Sequence, residues 1–172
     1  MKAQAIVSFC NLDSPIGRLT LTSDGASLTG LYMANPAKPL PRTADWVMDP
    51  SVAPLPEAAR QLCEYFAGER REFDLPLCMN GTEFQKRVWQ QLTAIPFGET
   101  WSYGQLAKRL DNPSACRAVG LANGKNPIAI IVPCHRVIGA DGSLTGFGGG
   151  LPRKEWLLTH EGRPGTAALR FG

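Results

Sequence analysis

Residues 102–122 read Ser102-Tyr103-Gly104-Gln105-Leu106-Ala107-Lys108-Arg109-Leu110-Asp111-Asn112-Pro113-Ser114-Ala115-Cys116-Arg117-Ala118-Val119-Gly120-Leu121-Ala122. Leu106, Ala107 and Leu110 recur at helical spacing and predict a helix from Ser102 or Tyr103 to about Leu110. Asp111-Asn112-Pro113 breaks it. Ser114 is then placed to cap a second helix, Ala115 to about Ala122, stopped by Asn123-Gly124. Two short helices across a tight turn form a helix-turn-helix candidate, although helical hairpins are also common in ordinary cores. Around Arg117 the second helix is built of small residues: Ala115, Cys116, Ala118, Gly120 and Ala122. Such a face approaches another backbone closely, and one long cation on it suits a phosphate or a gap in a base stack. A solvated arginine beside a packing face is the plain alternative. Tyr103 either packs or presents its phenol to a ligand.

On the N-terminal side, Thr82 resembles a helix cap, followed by Phe84, Val88, Trp89 and Leu92 at helical spacing and the turn Ile95-Pro96-Phe97-Gly98. The first third reads as short strands, 5–11, 18–22 and 27–33, separated by Ser14-Pro15-Ile16-Gly17 and Ser23-Asp24-Gly25. Six prolines between Pro36 and Pro56 exclude one regular element and read as a loop. A helix follows from Pro56 to Ala67, with Gly68 past its end. The expected architecture is an α/β N-terminal domain over 1–75, a small antiparallel sheet plus a helix. A mostly helical C-terminal domain over 82–172 carries the helix-turn-helix.

On the C-terminal side, the aliphatic run Ile128–Val132 looks like a buried extended segment leading into Pro133-Cys134-His135-Arg136-Val137. A free thiol is only a few per cent ionised at neutral pH, and a neighbouring base or cation is the usual remedy. His135 and Arg136 supply both types. In an extended strand, however, residues i and i+1 point to opposite faces. Cys134 and His135 therefore meet only if the backbone turns or a water bridges them. The last helix is predicted from near Pro152 to about Glu161, with Trp156, Leu157 and His160 marking a face. Glu161 lies at its C-terminal end, where the macrodipole disfavours a carboxylate, so a cationic or hydrogen-bonding partner is called for. A Cys134–His135–Glu161 relay fits this pattern. So does a core cysteine, a satisfied histidine and a surface carboxylate. The tract Gly146-Phe147-Gly148-Gly149-Gly150 lacks the spacing of a phosphate cradle and better suits a loop that closes on a substrate.

Composition narrows the function classes. The chain has 172 residues, 44% apolar and 19% charged, which suits a globular protein with a real core. Its longest aliphatic run is far too short to cross a membrane. The first residues turn polar at Ser8, with no long apolar stretch and no signal-type cleavage site. The five cysteines are odd in number and widely spaced, without a CxxC pair, and there are two histidines. A protein-built metal site is not expected, and a reduced, cytosolic chain is. The net charge of +3 hides a division: residues 1–81 hold 7 Lys and Arg against 9 Asp and Glu, residues 82–172 hold 11 against 6. The basic half suggests an anionic partner or, more blandly, a solvated basic surface.

Taken together, Ile131-Val132-Pro133-Cys134-His135-Arg136-Val137 resembles the active-site motif of the O6-alkylguanine-DNA alkyltransferases. Phe84-Gln85-Lys86-Arg87-Val88-Trp89, Ser102 to Ala107, Arg117-Ala118-Val119-Gly120, Asn126-Pro127 and Lys154 to Gly162 follow in family order. The resemblance is tight from about Thr82 to Gly162 and looser before it. It implies direct-reversal repair, in which the alkyl group of O6-alkylguanine, and of O4-alkylthymine, passes irreversibly to Cys134, without a cofactor. It implies that His135 takes the thiol proton through a bound water, that Glu161 orients His135, and that Tyr103 hydrogen-bonds the departing guanine. Arg117 would fill the stack vacated by the flipped base, and Asn126 would hold the turn before the active-site segment. Cys116, Ala118 and Gly120 would line the helix lying in the minor groove of double-stranded DNA. Arg136, Val137, Phe147 and Gly148 would complete the substrate-binding set, with backbone groups of Cys134, Val137 and Gly148 on the guanine edge. A monomer with no membrane partner is expected.

Phe147 stands where the family often has tyrosine, and Cys116 where alanine is common. The N-terminal half holds no histidine, so the zinc of some relatives is not expected. Three other classes fit less well. A non-repairing lesion binder would lack the cysteine. A helix-turn-helix regulator would need a sensor domain that the chain does not supply, while a cysteine hydrolase would turn over repeatedly.

Overall fold

The structure, a computed structural model, describes residues 6–36, 39–41 and 44–162. The chain divides into two compact units between Met79 and Asn80.

The first unit is a four-stranded sheet with one helix. Strands β1 (Val7–Ser14), β2 (Gly17–Ser23) and β3 (Leu28–Met33) form an antiparallel meander. The hairpin between β1 and β2 turns on Pro15-Ile16, closed by Ser14 Oγ donating to Gly17 O at 2.6 Å. Gly17 has φ +103°, which a side chain would resist. The alternation in β2 sends Leu19 and Leu21 to the interior, where neither retains any exposure. Helix α1 (Leu55–Phe66) buries Leu55, Ala58, Leu62 and Tyr65. The proline-rich stretch differs from the loop expected of it. Trp46–Met48 form β4, which pairs in parallel with β1 and makes the sheet mixed, in the order β3-β2-β1-β4. On that face Trp46 lies 6.0 Å from Phe9 and 6.1 Å from Tyr32, ring centre to ring centre, so one aromatic anchors a strand too short to signal itself. The other sheet edge is covered by the unit's own tail, through Leu28 N to Pro76 O and Cys78 N to Leu28 O.

The second unit is mostly helical. Helix α2 (Glu83–Leu92) and helix α3 (Tyr103–Arg109) each begin with a complete capping box, Thr82 with Gln85 and Ser102 with Gln105. Helix α4 (Cys116–Gly124) follows α3 after a short turn, giving the helix-turn-helix. Ser114 does not cap it. That hydroxyl bonds Asn112 Oδ1, and the cap position is Ala115, without a side-chain bond. Trp89 is buried and donates its indole N–H to Ala122 O at 2.9 Å, fastening α2 to α4. Strand β5 (Trp101–Ser102) pairs in parallel with β6 (Val137–Ile138), and α5 (Leu151–His160) closes the unit. No helix among the described residues is long and apolar enough to cross a membrane.

The aliphatic run Ile128–Val132 is not extended. It is a buried turn, with Val132 N bonding Ile128 O at 3.0 Å and Ile131 N bonding Ala129 O at 2.8 Å. Ile130 has φ +71°, a strained conformation for a β-branched residue that costs about 1–3 kcal/mol. Asn126 holds the turn at both ends: its Nδ2 donates to Val132 O at 2.7 Å, and its Oδ1 accepts from Ile128 N at 3.0 Å.

Candidate active site

The turn delivers Cys134 into a single 3-10 turn, Cys134–Arg136. Successive residues of such a turn are roughly 120° apart rather than opposed, which removes the geometric objection to a Cys134–His135 pair. All three side chains are buried. Asn123, on α4, donates from Nδ2 to Cys134 O at 3.3 Å and so ties the helix-turn-helix to the turn carrying the thiol.

His135 has no solvent exposure, and its Nε2 lies 2.8 Å from Glu161 Oε1. Arg136 grips the same carboxylate with two bonds, Nε to Oε2 at 2.8 Å and Nη2 to Oε1 at 2.9 Å, while its Nη1 donates to Ile95 O at 2.7 Å. Arg136 was expected in the substrate-binding set. Its guanidinium instead points inward and is committed to Glu161 and Ile95. The placement of Glu161 at the end of α5 is thereby explained: two fixed N–H donors of a buried cation offset the unfavourable dipole. The turn at Ile95–Gly98 wraps the pair closely. A Cβ on Gly98, where φ is +84°, would stand 3.0 Å from Glu161 O.

The electrostatics follow from this geometry. Burial alone would raise the carboxyl of Glu161, but the bonds and charges of His135 and Arg136 outweigh it and hold the group well below the ordinary value. A carboxylate only accepts, so Nε2 of His135 is the protonated nitrogen, and Nδ1 is left as the basic one. Nδ1 is buried and has no hydrogen-bond partner among the described residues. Burial pushes the imidazole down; Glu161 pulls it up, while Arg136 and Lys154 push it down further. The net direction is down, so His135 is neutral near pH 7 and free to take a proton.

Tyr103 heads α3, and its hydroxyl donates to Thr145 O at 3.2 Å. Thr145 Oγ1 donates back to it at 3.3 Å. Gly120 lies against the same ring: a Cβ there would sit 3.7 Å from Tyr103 Cε1. Cys116, Arg117 and Ala118 are exposed on the outer face of α4, together with Leu121 at 66% exposure. They are apart from the buried His135–Glu161 pair. Val137 is buried in β6, and Phe147 and Gly148 are half-buried in the loop before α5. Among the described residues, no three His, Cys, Asp or Glu side chains cluster as a metal site.

Sequence reasoning missed two contributors. Lys154 is fully buried and donates from Nζ to Val137 O at 2.6 Å and to Thr145 O at 2.7 Å. Its signal was present: Lys154, Leu157, Leu158 and Glu161 are spaced i, i+3, i+4, i+7 and form the buried stripe of α5. The face marked by Trp156 and His160 is instead half-buried, the two rings stacked 5.0 Å apart. Asn123 was read as a helix stop and is a buried residue of α4.

Two family models match this chain: the 6-O-methylguanine DNA methyltransferase ribonuclease-like domain over residues 9–79 and the DNA-binding domain of the same name over residues 83–163. A methylated-DNA–protein-cysteine methyltransferase of Mycolicibacterium paratuberculosis is 52% identical over 164 residues, 95% of this chain and 98% of that protein. One from Methanosarcina acetivorans is 52% identical over 150 residues, 87% of this chain and 95% of the relative. The crystal structure of Mycobacterium tuberculosis OGT in complex with DNA superimposes with a TM-score of 0.85 at 54% identity, covering 90% of this chain and 92% of that one.

Proposed function

The chain belongs to the 6-O-methylguanine DNA methyltransferase family, and from that premise we propose that it moves an alkyl group from O6 of guanine in DNA onto the sulfur of Cys134, once per molecule. The observation that carries this reading is the buried His135, next to Cys134 in one 3-10 turn, whose Nε2 is spent on an ionised Glu161 and whose Nδ1 has no hydrogen-bond partner among the described residues. The thiol proton passes to Nδ1 through a water. The thiolate attacks the alkyl carbon, the S–C bond forms, and the C–O6 bond breaks with its electron pair going to the purine. The base gains a proton in exchange, so one S–H and one C–O bond become one S–C and one N–H bond. The thioether is stable, and Cys134 is not regenerated.

O6 lies inside the duplex, so the nucleotide is extruded at a cost on the order of a few kcal/mol. Arg117, exposed on α4 among Cys116, Ala118 and Gly120, fills the vacated stack. Those small residues allow the helix to approach along the minor groove. Backbone groups of Cys134, Val137 and Gly148 read the guanine edge, beside Phe147. Tyr103 donates to the departing base, and it does so only after its phenol leaves Thr145 O. Asn126 holds the turn that presents Cys134. O4-alkylthymine enters the same site. The protein acts as a cytoplasmic monomer, with domains at 1–75 and 82–172 and the reaction confined to the second.

Intact mass before and after incubation with duplex DNA containing O6-methylguanine tests the reading. We expect a gain of one methyl group, mapped to Cys134, with one equivalent consumed. Cys134→Ser should gain nothing while still binding DNA. Transfer by that variant, or repeated turnover by the unsubstituted chain, would overturn it.

A further inference from the structure

Besides the Cys134 thiol, four charged or titratable side chains are buried among the described residues of the second unit: His135, Arg136, Lys154 and Glu161. The reaction as drawn uses His135 and Glu161, and Arg136 holds Glu161. Lys154 has no part in it, yet a buried ammonium is costly and persists only where it is well satisfied.

Its partners are informative. Nζ bridges two backbone carbonyls that are far apart in sequence. Val137 O belongs to β6, directly after the turn that carries Cys134 and His135. Thr145 O belongs to the glycine-rich loop between β6 and α5, and it also accepts the phenol proton of Tyr103. One cation therefore joins the reactive turn, the loop and the tyrosine at the head of α3. An ammonium with three donors on a flexible stem suits this task, since carbonyls arranged for no other purpose need no planar fork. The tie also allows an exchange. A carbonyl oxygen has two lone pairs, so when the phenol swings away from Thr145 O, that carbonyl keeps a charged donor.

We propose that Lys154 is a positioning residue for alkyl transfer, holding the Val137 and Thr145 carbonyls so that the loop and the Tyr103 phenol stay in register with Cys134 and the Thr145 carbonyl stays in place when the phenol is released to substrate. The proposal rests on the alkyl-transfer reading above. It carries a second consequence. The charged groups acting on His135 are Glu161 and Lys154 of α5 and its end, and Arg136 of its own turn. Helix α2 buries Val88, Trp89 and Leu92, and α4 buries Val119, Ala122 and Asn123, none of them titratable; the other titratable group of the turn is the buried Cys134 thiol. Lys154 pushes the imidazole toward its neutral form. Removing the cation lets His135 protonate at higher pH, and the acid limb of the rate profile moves up.

The test is single-turnover methyl transfer from O6-methylguanine duplex by the full chain, with Lys154→Met and Lys154→Gln. For Lys154→Met we expect the saturating rate to fall by about 100-fold, the loss that misplacing reacting groups by on the order of 1 Å brings. The half-saturating DNA concentration should stay within about threefold, because the exposed DNA-facing residues are untouched. The acid limb should move to higher pH. Lys154→Gln keeps two N–H donors at that depth and loses the charge. It should recover part of the rate with the acid limb still displaced, and it is the variant to read if methionine is not tolerated. An unchanged saturating rate and an unmoved acid limb in either folded variant would overturn the positioning role. Failure of the unsubstituted chain to methylate Cys134 would instead remove the reading beneath it.

Discussion

The two units of the chain treat charge in opposite ways. In the first, the buried polar residues among those described are Ser8, Thr20, Thr22, Ser23 and Gln61, all neutral. Its ion pairs lie outside: Arg18 with Asp13, and Arg60 and Arg70 with Glu57 and Glu64 along α1. In the second, the buried polar residues are Asn123, His135, Arg136, Lys154 and Glu161. A sheet-and-helix core has no need of interior charge, and well-packed apolar side chains of similar volume are often as stable as a buried ion pair. The second unit keeps a costly interior because the proposed reaction needs one. A histidine held neutral, in one tautomer and one orientation, requires a carboxylate on its far nitrogen, and that carboxylate requires a cation.

Glu161→Gln should show the largest consequence. The change replaces one of the two accepting oxygens by an NH2 donor, so His135 and Arg136 can no longer both be satisfied, and it leaves Arg136 buried without its counter-charge. We expect transfer to slow by about 100-fold, in the range lost with general-base assistance. Chemical unfolding should report roughly 3–5 kcal/mol of lost stability, the cost of breaking a buried pair from one side. A variant as stable and as fast as the parent would show that the buried charges in the second unit are incidental, and the contrast with the first unit would collapse.

The same contrast explains what the sequence disclosed. Thr82, Ser102 and the helices they begin were legible because a capping box is local: donor and acceptor are three residues apart. Cys134, His135 and Glu161 could be singled out by residue type and by the awkward position of a carboxylate at a helix end. The inward turn of Arg136 was not legible, because it depends on a 3-10 turn that a run of aliphatic residues does not announce. Ile128–Val132 has strand composition and is buried on all sides, and periodicity cannot separate a buried strand from a buried turn. Strand β4 pairs in parallel with β1 across some thirty residues of intervening chain, so nothing next to Trp46 in sequence marks it. Lys154 was legible in principle, on the stripe it shares with Leu157, Leu158 and Glu161. A lysine among apolar positions is ordinarily read as the solvent face.

Arg117 offers a smaller effect of a different kind. It is a charge of the second unit that is exposed, so it should matter to the reaction and not to the fold. Arg117→Ala is expected to slow repair of duplex substrate by about tenfold or more, since it offsets part of an extrusion cost on the order of a few kcal/mol. Reaction with free O6-benzylguanine, which needs no extrusion, should be much less affected, and the unfolding midpoint should not move. Equal losses on both substrates would place Arg117 in the chemistry and erase the line between buried and exposed charge in this unit.

Acid and alkali should separate the units more gently. In the second, His135 and Glu161 both have folded-state values below the ordinary ones, 6.5 and 4.5. The stability they contribute is full above those values and is lost as pH falls through the folded ones, so acid weakens this unit, beginning below about 6.5. In the first unit the buried Cys10 thiol and the half-buried Tyr32 phenol are both raised by burial. Their contribution is full below the ordinary values and is lost as pH rises through the folded ones. Methyl NMR spectra followed from acid to alkali should show the second unit loosening first on the acid side and the first unit on the alkaline side. Simultaneous loss at both extremes would mean that these groups do not control the response.

The smallest effect is expected where the ion pairs look most numerous. Arg60 contacts both Glu57 and Glu64 on α1, and Arg70 contacts Glu64 at 2.7 Å. The hydrogen bond from Arg60 leads the causes that hold the Glu57 carboxyl down at about 2. Yet Arg60 and Glu57 stand in open solvent, where water screens the attraction and two long side chains lose freedom to hold one geometry. Such pairs contribute little, however short their contacts. Arg60→Ala should therefore leave the denaturant midpoint of the first unit within experimental scatter, and methyl transfer unchanged. Arg136 makes the same kind of bonds to Glu161, and what separates the two arginines is burial alone. If Arg60→Ala destabilised the protein as much as Glu161→Gln, contact geometry rather than desolvation would set the worth of a charge here, and the distinction between the two units would rest on nothing physical.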